Sequence, residues 1–275
     1  MANYDITQLQ SLEHDTVKGR YNSLVMIDST HFILAYAGDG DDGYIKTFSI
    51  NGSYEIAEID SFIHDGVSGV GNSLVMIDST HFILAYRGSG AHGYIKTFSI
   101  DGNYDNIAQL EVLEYDGVYA YENSLVIIDS THFILAHMGT GQDGFIRTFS
   151  INGSYEIAEI DSLVHDGVTG RYNSLVKIDS THFILAYQGD GQDGYIKTFS
   201  IDGNYDNITE IDVLEHEIAD AYDNSLVKID GTHFILAYAG VDTDAGSTYD
   251  GYIKTFYVGA PLIATRRRAS FITFF

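Results

Sequence analysis

The chain has 275 residues, no cysteine and a formal net charge of −25, from 39 Asp and Glu against 14 Lys and Arg. That charge excludes a nucleic-acid footprint over the body, the lack of cysteine excludes disulfide and thiolate chemistry, and no run of roughly 20 apolar residues could span a bilayer as a helix. The opening MANYDITQLQ has no basic start and no apolar core, so no secretory signal is visible, although a cell-surface or extracellular setting is the one expected.

The first element, within residues 3–14, is the strand-like YDITQLQSLEH. Four more follow: SLVMID from Ser23, HFILAY from His31, YIKTFSI from Tyr44 and YEIAEIDSFI from Tyr54. They are rich in Val, Ile, Phe, Tyr and Thr and are bounded by Gly, Asn, Asp and Ser, which reads as strand after strand. Nothing has the length and 3.6-residue period of a helix. HFILA is apolar on both faces, which suits a sheet packed between two neighbouring sheets.

The pattern then repeats. NSLV begins at 22, 72, 123, 173 and 224, and THFILA at 30, 80, 131, 181 and 232. Five units of four strands predict an all-β, five-bladed β-propeller over residues 1–258. The chain starts in the phase of a fourth strand and its last unit ends after a third. Residues 3–14 are therefore expected to complete the last blade and close the ring, which removes its open edges. Residues 259–275, with the only proline and the Arg266–Arg268 cluster, form a tail without assigned function.

Gly38, Gly40 and Gly43 have the G-x-G-x-x-G spacing of a dinucleotide loop. A strand follows them where that motif needs a helix, and the spacing recurs in three further units. A hairpin loop with a left-handed glycine is the better reading. Asp39, Asp41 and Asp42 make this loop a candidate Ca²⁺ site; the second unit has GSGAHG there, so an ion in every blade is excluded. The repeated DSTH, first at Asp28–His31, evokes a catalytic triad, but neighbours on one tight turn rarely reach that geometry. It looks similar to the Asp/His/Thr hydrogen-bond network of WD-repeat blades. The pairs His14-Asp15, His64-Asp65, His165-Asp166 and His216-Glu217, with Tyr115-Asp116 in the remaining unit, read as packing rather than metal ligation. Lys46, Lys96, Arg147, Lys197 and Lys254 are expected to lay their stems along the blade and pair with acids at its edge.

The copies differ mainly in the fourth-to-first and second-to-third connections, which fall on one face of a propeller. That face offers Arg20, Tyr21, Arg171 and Tyr172 beside Asp39 and Asp190, Arg87 with His92, Tyr119 with Tyr121, and Tyr222. Aromatics and arginines among short acids suit polar ligands with an apolar side, such as sugars.

Five near-identical blades over residues 3–258 resemble the tachylectin-type propellers. The resemblance implies amino-sugar binding with one site per blade, and no individual residue is carried over from it. The expectation is a non-enzymatic, lectin-like protein that binds glycans multivalently, without catalytic residues or an obligatory cofactor. The alternatives are a protein-interaction scaffold or surface-structure component, and a glycosidase. The last needs two unlike carboxylates at the central funnel, and five equal environments work against that.

Overall fold

The computed structural model describes residues 6–241 and 249–259. Its strands are all antiparallel and fall into five sheets. The first holds β1 (Arg20–Met26), β2 (His31–Ala37), β3 (Gly43–Ile50) and β4 (Ile56–Asp65). The second holds β5 (Val70–Met76), β6 (His81–Arg87), β7 (Gly93–Ser99) and β8 (Ala108–Asp116). The third holds β9 (Tyr121–Asp129), β10 (His132–Met138), β11 (Gly144–Ile151) and β12 (Ile157–Asp166). The fourth holds β13 (Arg171–Lys177), β14 (His182–Gln188), β15 (Gly194–Ile201) and β16 (Ile208–Glu217). The fifth has three strands, β17 (Tyr222–Lys228), β18 (His233–Val241) and β19 (Tyr249–Tyr257).

The second strand of each unit is buried on both faces because its sheet is sandwiched. Consecutive residues Ile33, Leu34, Ala35 and Tyr36 are all buried, and so are their counterparts in the next three blades. The first strands are innermost and are linked by one repeated bond: the N–H of Leu74, Leu125, Leu175 and Leu226 donates to Ser23, Ser73, Ser124 and Ser174 Oγ at 2.9–3.0 Å. The mid-strand cations act as expected and also bridge blades. Lys46, Arg147 and Lys197 pair with Glu58, Glu159 and Glu210 at 2.9–3.0 Å, and Lys96 and Lys197 donate to the carbonyls of His64 and His165 in the preceding blade at 2.5 Å.

The His-Asp motif is packing. His64 lies edge-on to Tyr86 at 4.6 Å, and Tyr86 donates its hydroxyl to Asp65 at 3.0 Å. Where the second blade has Tyr115 in this position, the third blade carries His137 where the others carry Tyr, so the pair across the junction is kept with its members exchanged. The DSTH turn is structural too. Asp28 Oδ1 accepts from the N–H of Thr30 and His31, and the His31 imidazole sits 3.0 Å from Asp28.

The fifth sheet differs from expectation. Residues 6–14 form no strand, residues 3–5 lie outside the described residues, and β19 has no fourth-strand partner among the described residues. The segment is drawn to the first blade instead: Gln10 bonds the Ile56 backbone, His14 packs on Tyr36 at 4.6 Å, and Lys46 donates to the His14 carbonyl at 2.7 Å. Of the 259–275 tail only Gly259 is described. Among the described residues no helix is long and apolar enough to cross a membrane.

Candidate active site on the loop face

The two variable loop types meet on one face. In each of four junctions the backbone N–H leading into the next blade donates to the Gly-rich loop behind it, as Gly69 to Asp41 at 2.8 Å and Gly170 to Gln142 at 2.7 Å. The Gly-rich stretch is a short 3-10 turn with Gly40 at φ 66°, a conformation that favours glycine, and β3 follows it directly. The nucleotide reading fails on this geometry. The loop carboxylates are engaged locally: Asp39 accepts from Gly40 N–H at 3.0 Å and Asp41 pairs with Lys18. That bond, with the charges of Lys18, Arg20 and Arg87, holds the Asp41 carboxyl below its ordinary range. Among the described residues no three of His, Asp and Glu gather where Asp39, Asp41 and Asp42 were expected to offer Ca²⁺ a site.

The innermost strands begin with an irregularity in register, next to a residue with left-handed backbone: Tyr21 (φ 55°), Gly71 (64°), Glu122 (57°), Tyr172 (51°) and Asp223 (53°). Four of the five are not glycine. Each such residue costs on the order of 1–3 kcal/mol, and strain of this kind collects at functional sites. These positions sit at the loop-face end of the inner strands, so they form a rosette near the axis.

The rosette is not symmetric. Glu122 reaches the next blade and accepts from the Tyr172 N–H. Burial pushes its carboxyl above the ordinary range, the nearby charge of Asp223 adds to that, and the Tyr172 bond and the Arg171 guanidinium oppose it. Asp223 is exposed and helps line a cavity of about 390 Å³ with Tyr172, Tyr222 and Tyr249. These tyrosines meet edge to face, Tyr172 to Tyr222 at 5.3 Å and Tyr222 to Tyr249 at 5.2 Å. Burial is also the main reason that the Tyr222 phenol is pushed up to about 12. On the other side of Glu122, Arg87 lies 4.0 Å over the Tyr121 ring, and Tyr119 packs on Tyr121 at 4.4 Å. Arg87 Nε and Arg171 Nε are buried without a hydrogen-bond partner among the described residues.

Of the residues expected on sequence grounds, Arg87, Tyr119, Tyr121, Arg171, Tyr172 and Tyr222 therefore come together in one band over the second to fifth blades. The others stand apart. His92 pairs with Glu114 at 2.9 Å, Asp190 caps Gly191 at 2.9 Å as Asp39 caps Gly40, and Arg20 and Tyr21 lie exposed on the first blade. Glu122, Asp223 and Tyr249 were missed. The signal for Glu122 and Asp223 is the variable residue before a constant Asn, read as Tyr, Gly, Glu, Tyr and Asp in the five copies, and Tyr249 stands in the lengthened second-to-third loop of the fifth unit.

No known family profile matches this chain, and no curated protein does. Its fold does match solved structures. A protein from Lactobacillus plantarum aligns at 14% identity over 87% of this chain and 71% of that one, with a TM-score of 0.58. A candidate 6-phosphogluconolactonase from Bacteroides uniformis aligns at 12% identity over 86% and 71%, with a TM-score of 0.56. An α-L-arabinofuranosidase from Lactobacillus brevis aligns at 10% identity over 88% and 91%, with a TM-score of 0.50. At these identities the likeness shows the fold.

These findings correct the lectin-like expectation. The solved structures just named that carry an activity bear enzyme names, not lectin names. The loop face also holds one asymmetric cluster around a half-buried acid, where multivalent binding required five similar sites.

Proposed function

We propose that the chain is a hydrolase acting on glycosidic bonds, with Glu122 as proton donor and Asp223 as the partner carboxylate. The observation that carries this reading is Glu122: a carboxyl held by burial above its ordinary range, on a strained backbone at the axis, within the electrostatic reach of a second, exposed carboxylate. Two carboxyls in unlike surroundings are what acid-assisted glycoside cleavage needs. The fold's likeness to an arabinofuranosidase and to a candidate sugar lactonase supports an enzyme that acts on sugars.

Glu122 would hold its proton to a higher pH than a solvated acid and pass it to the departing oxygen. Asp223 faces the cavity and would oppose the positive charge that develops on the sugar ring. Tyr172, Tyr222 and Tyr249 present ring faces and edges to the apolar side of a sugar. The Arg171 guanidinium opposes the rise of the Glu122 pKa.

The test is a panel of aryl glycosides, run with wild type and Glu122→Gln. Substrates with poor leaving groups should lose about 10²-fold or more in kcat, and those with dinitrophenolate far less, because that group departs without a proton. An equal loss on both kinds, or no turnover of any glycoside by wild type, sinks the reading.

A further inference from the structure

Three of the four junctions between successive blades seat the same turn in the same socket. Tyr104, between β7 and β8, puts its hydroxyl on Asp28 at 2.7 Å, stacks on His31 at 3.5 Å between ring centres, and accepts from Thr47 Oγ1 through its carbonyl at 2.7 Å. Tyr155 does the same with Asp78 (3.4 Å), His81 (3.8 Å) and Thr97 (2.9 Å). Tyr205 does so with Asp129 (2.7 Å), His132 (3.7 Å) and Thr148 (2.7 Å). In two of the three, an isoleucine N–H just beyond the tyrosine caps an aspartate of the blade behind, Ile107 to Asp60 and Ile208 to Asp161, both at 3.0 Å.

The fourth junction has the socket without the turn. Asp179, His182, Thr198 and Asp212, the counterparts of those four acceptors and donors, line a cavity of about 460 Å³ between the fourth and fifth blades. The fifth blade's own third strand is followed by GAPL, which has no tyrosine. The missing sequence stands at the other end of the chain. Tyr4 and Ile6 have the spacing of Tyr54 and Ile56 and of Tyr155 and Ile157. Downstream, Gln10, His14 and Asp15 already make to the first blade the contacts that a fourth strand makes to the blade ahead of it.

We propose that residues 4–6 of this same chain occupy that cavity: Tyr4 on Asp179 and His182, its carbonyl on Thr198 and the Ile6 N–H on Asp212. Tyr4 lies outside the described residues, and Ile6 is fully exposed where it is described. Seating them sets residues 8–13 along the open edge of β19 in the register of the other blades, with Leu12 opposite Ile253 as Leu163 is opposite Ile146. It also covers surfaces that the other junctions bury. Leu24 is 58% exposed where Leu74, Leu125, Leu175 and Leu226 are 6–7%, and Ile253 is 76% exposed where Ile45, Ile95, Ile146 and Ile196 are 0–5%. The inference does not depend on the catalytic reading.

The absence of native cysteine allows a direct test. Directly opposed residues of paired strands fall within disulfide reach. Leu12→Cys with Ile253→Cys should therefore oxidise to a crosslink within one chain, with monomeric mass, as readily as the control pair Leu163→Cys with Ile146→Cys. Tyr4→Ala should lower the thermal midpoint by about as much as Tyr205→Ala. A crosslink between two chains would make a second copy the occupant and overturn the proposal. So would no crosslink where the control forms, or an unchanged midpoint for Tyr4→Ala beside a lowered one for Tyr205→Ala.

Discussion

Acid should destabilise this protein above the range where most carboxylates titrate, because of the histidines buried between blades. Burial lowers the imidazoles of His64, His137 and His165 to about 3, and the charges of Lys96, Arg147 and Lys197 add to the effect. An unfolded histidine titrates near about 6.5. As pH falls through that value the unfolded chain takes up a proton at each site and the folded chain does not until near 3. The contribution of these groups is therefore whole above about pH 6.5 and is lost as pH falls below it. Between pH 7 and 5 the loss is about 2 kcal/mol per histidine and about 6 kcal/mol for the three, a large part of a typical total of about 5–15 kcal/mol. Solvated Asp and Glu titrate near about 3.9 and 4.3, so they change little over that interval. His64→Phe isolates the effect: both ring nitrogens lack a hydrogen-bond partner among the described residues, so a ring of similar shape forfeits no bond. Urea midpoints by circular dichroism should match wild type within about 1 kcal/mol at pH 7 and exceed it by about 2 kcal/mol at pH 5. If the two proteins show the same pH dependence, His64 is not held neutral by burial and the reasoning is refuted.

The exchanged pair Tyr115 and His137 predicts a compensating double mutant. Tyr115→His or His137→Tyr alone should cost about 2 kcal/mol, and the two together should return to within about 1 kcal/mol of wild type in urea melts. Gly144→Ala should cost about 2 kcal/mol, since a methyl there overlaps the His165 ring, whereas Gly52→Ala faces open space and should leave the midpoint unchanged. Glu122 binds its proton more tightly folded than unfolded, so its ionisation removes stability as pH rises through the raised value. Glu122→Gln should therefore gain on wild type in urea midpoint as pH rises from the ordinary carboxylate range, and a constant difference would show that the carboxyl is not desolvated.

The fold was legible because it is written five times. Strand order, the doubly buried HFILA run and the left-handed Gly40 follow from periodicity and turn chemistry, which are local properties. The seat of residues 6–14 was not legible. The phase of the repeat names a fourth strand and its two neighbours, but whether the segment sits on blade one, on β19 or on both depends on how far the accumulated rotation of five blades carries the ends towards each other. The Tyr115 substitution shows a related limit. Taken alone it argues that the His-Asp motif tolerates change. Taken with His137, 22 positions on, it shows that the contact tolerates none and only the owner of each ring changes.

The site was half legible for a physical reason. Loop residues such as Arg87, Tyr119 and Arg171 stand out because nothing in the repeat explains them. Glu122 and Asp223 sit one step inside a strand, directly before the constant NSLV run, and a strand position is ordinarily assigned to packing. The register irregularity removes them from that duty: at a left-handed residue the side chain leaves the pleat and turns towards the next blade and the axis. Packing between blades is met by Leu125 and Leu226 a few positions on, so the rosette residue is free to differ from copy to copy. Symmetry of the scaffold thus does not impose symmetry on the site. Five equal environments would disfavour catalysis only if it did, and the residue in each blade released from the repeat's packing makes them unequal.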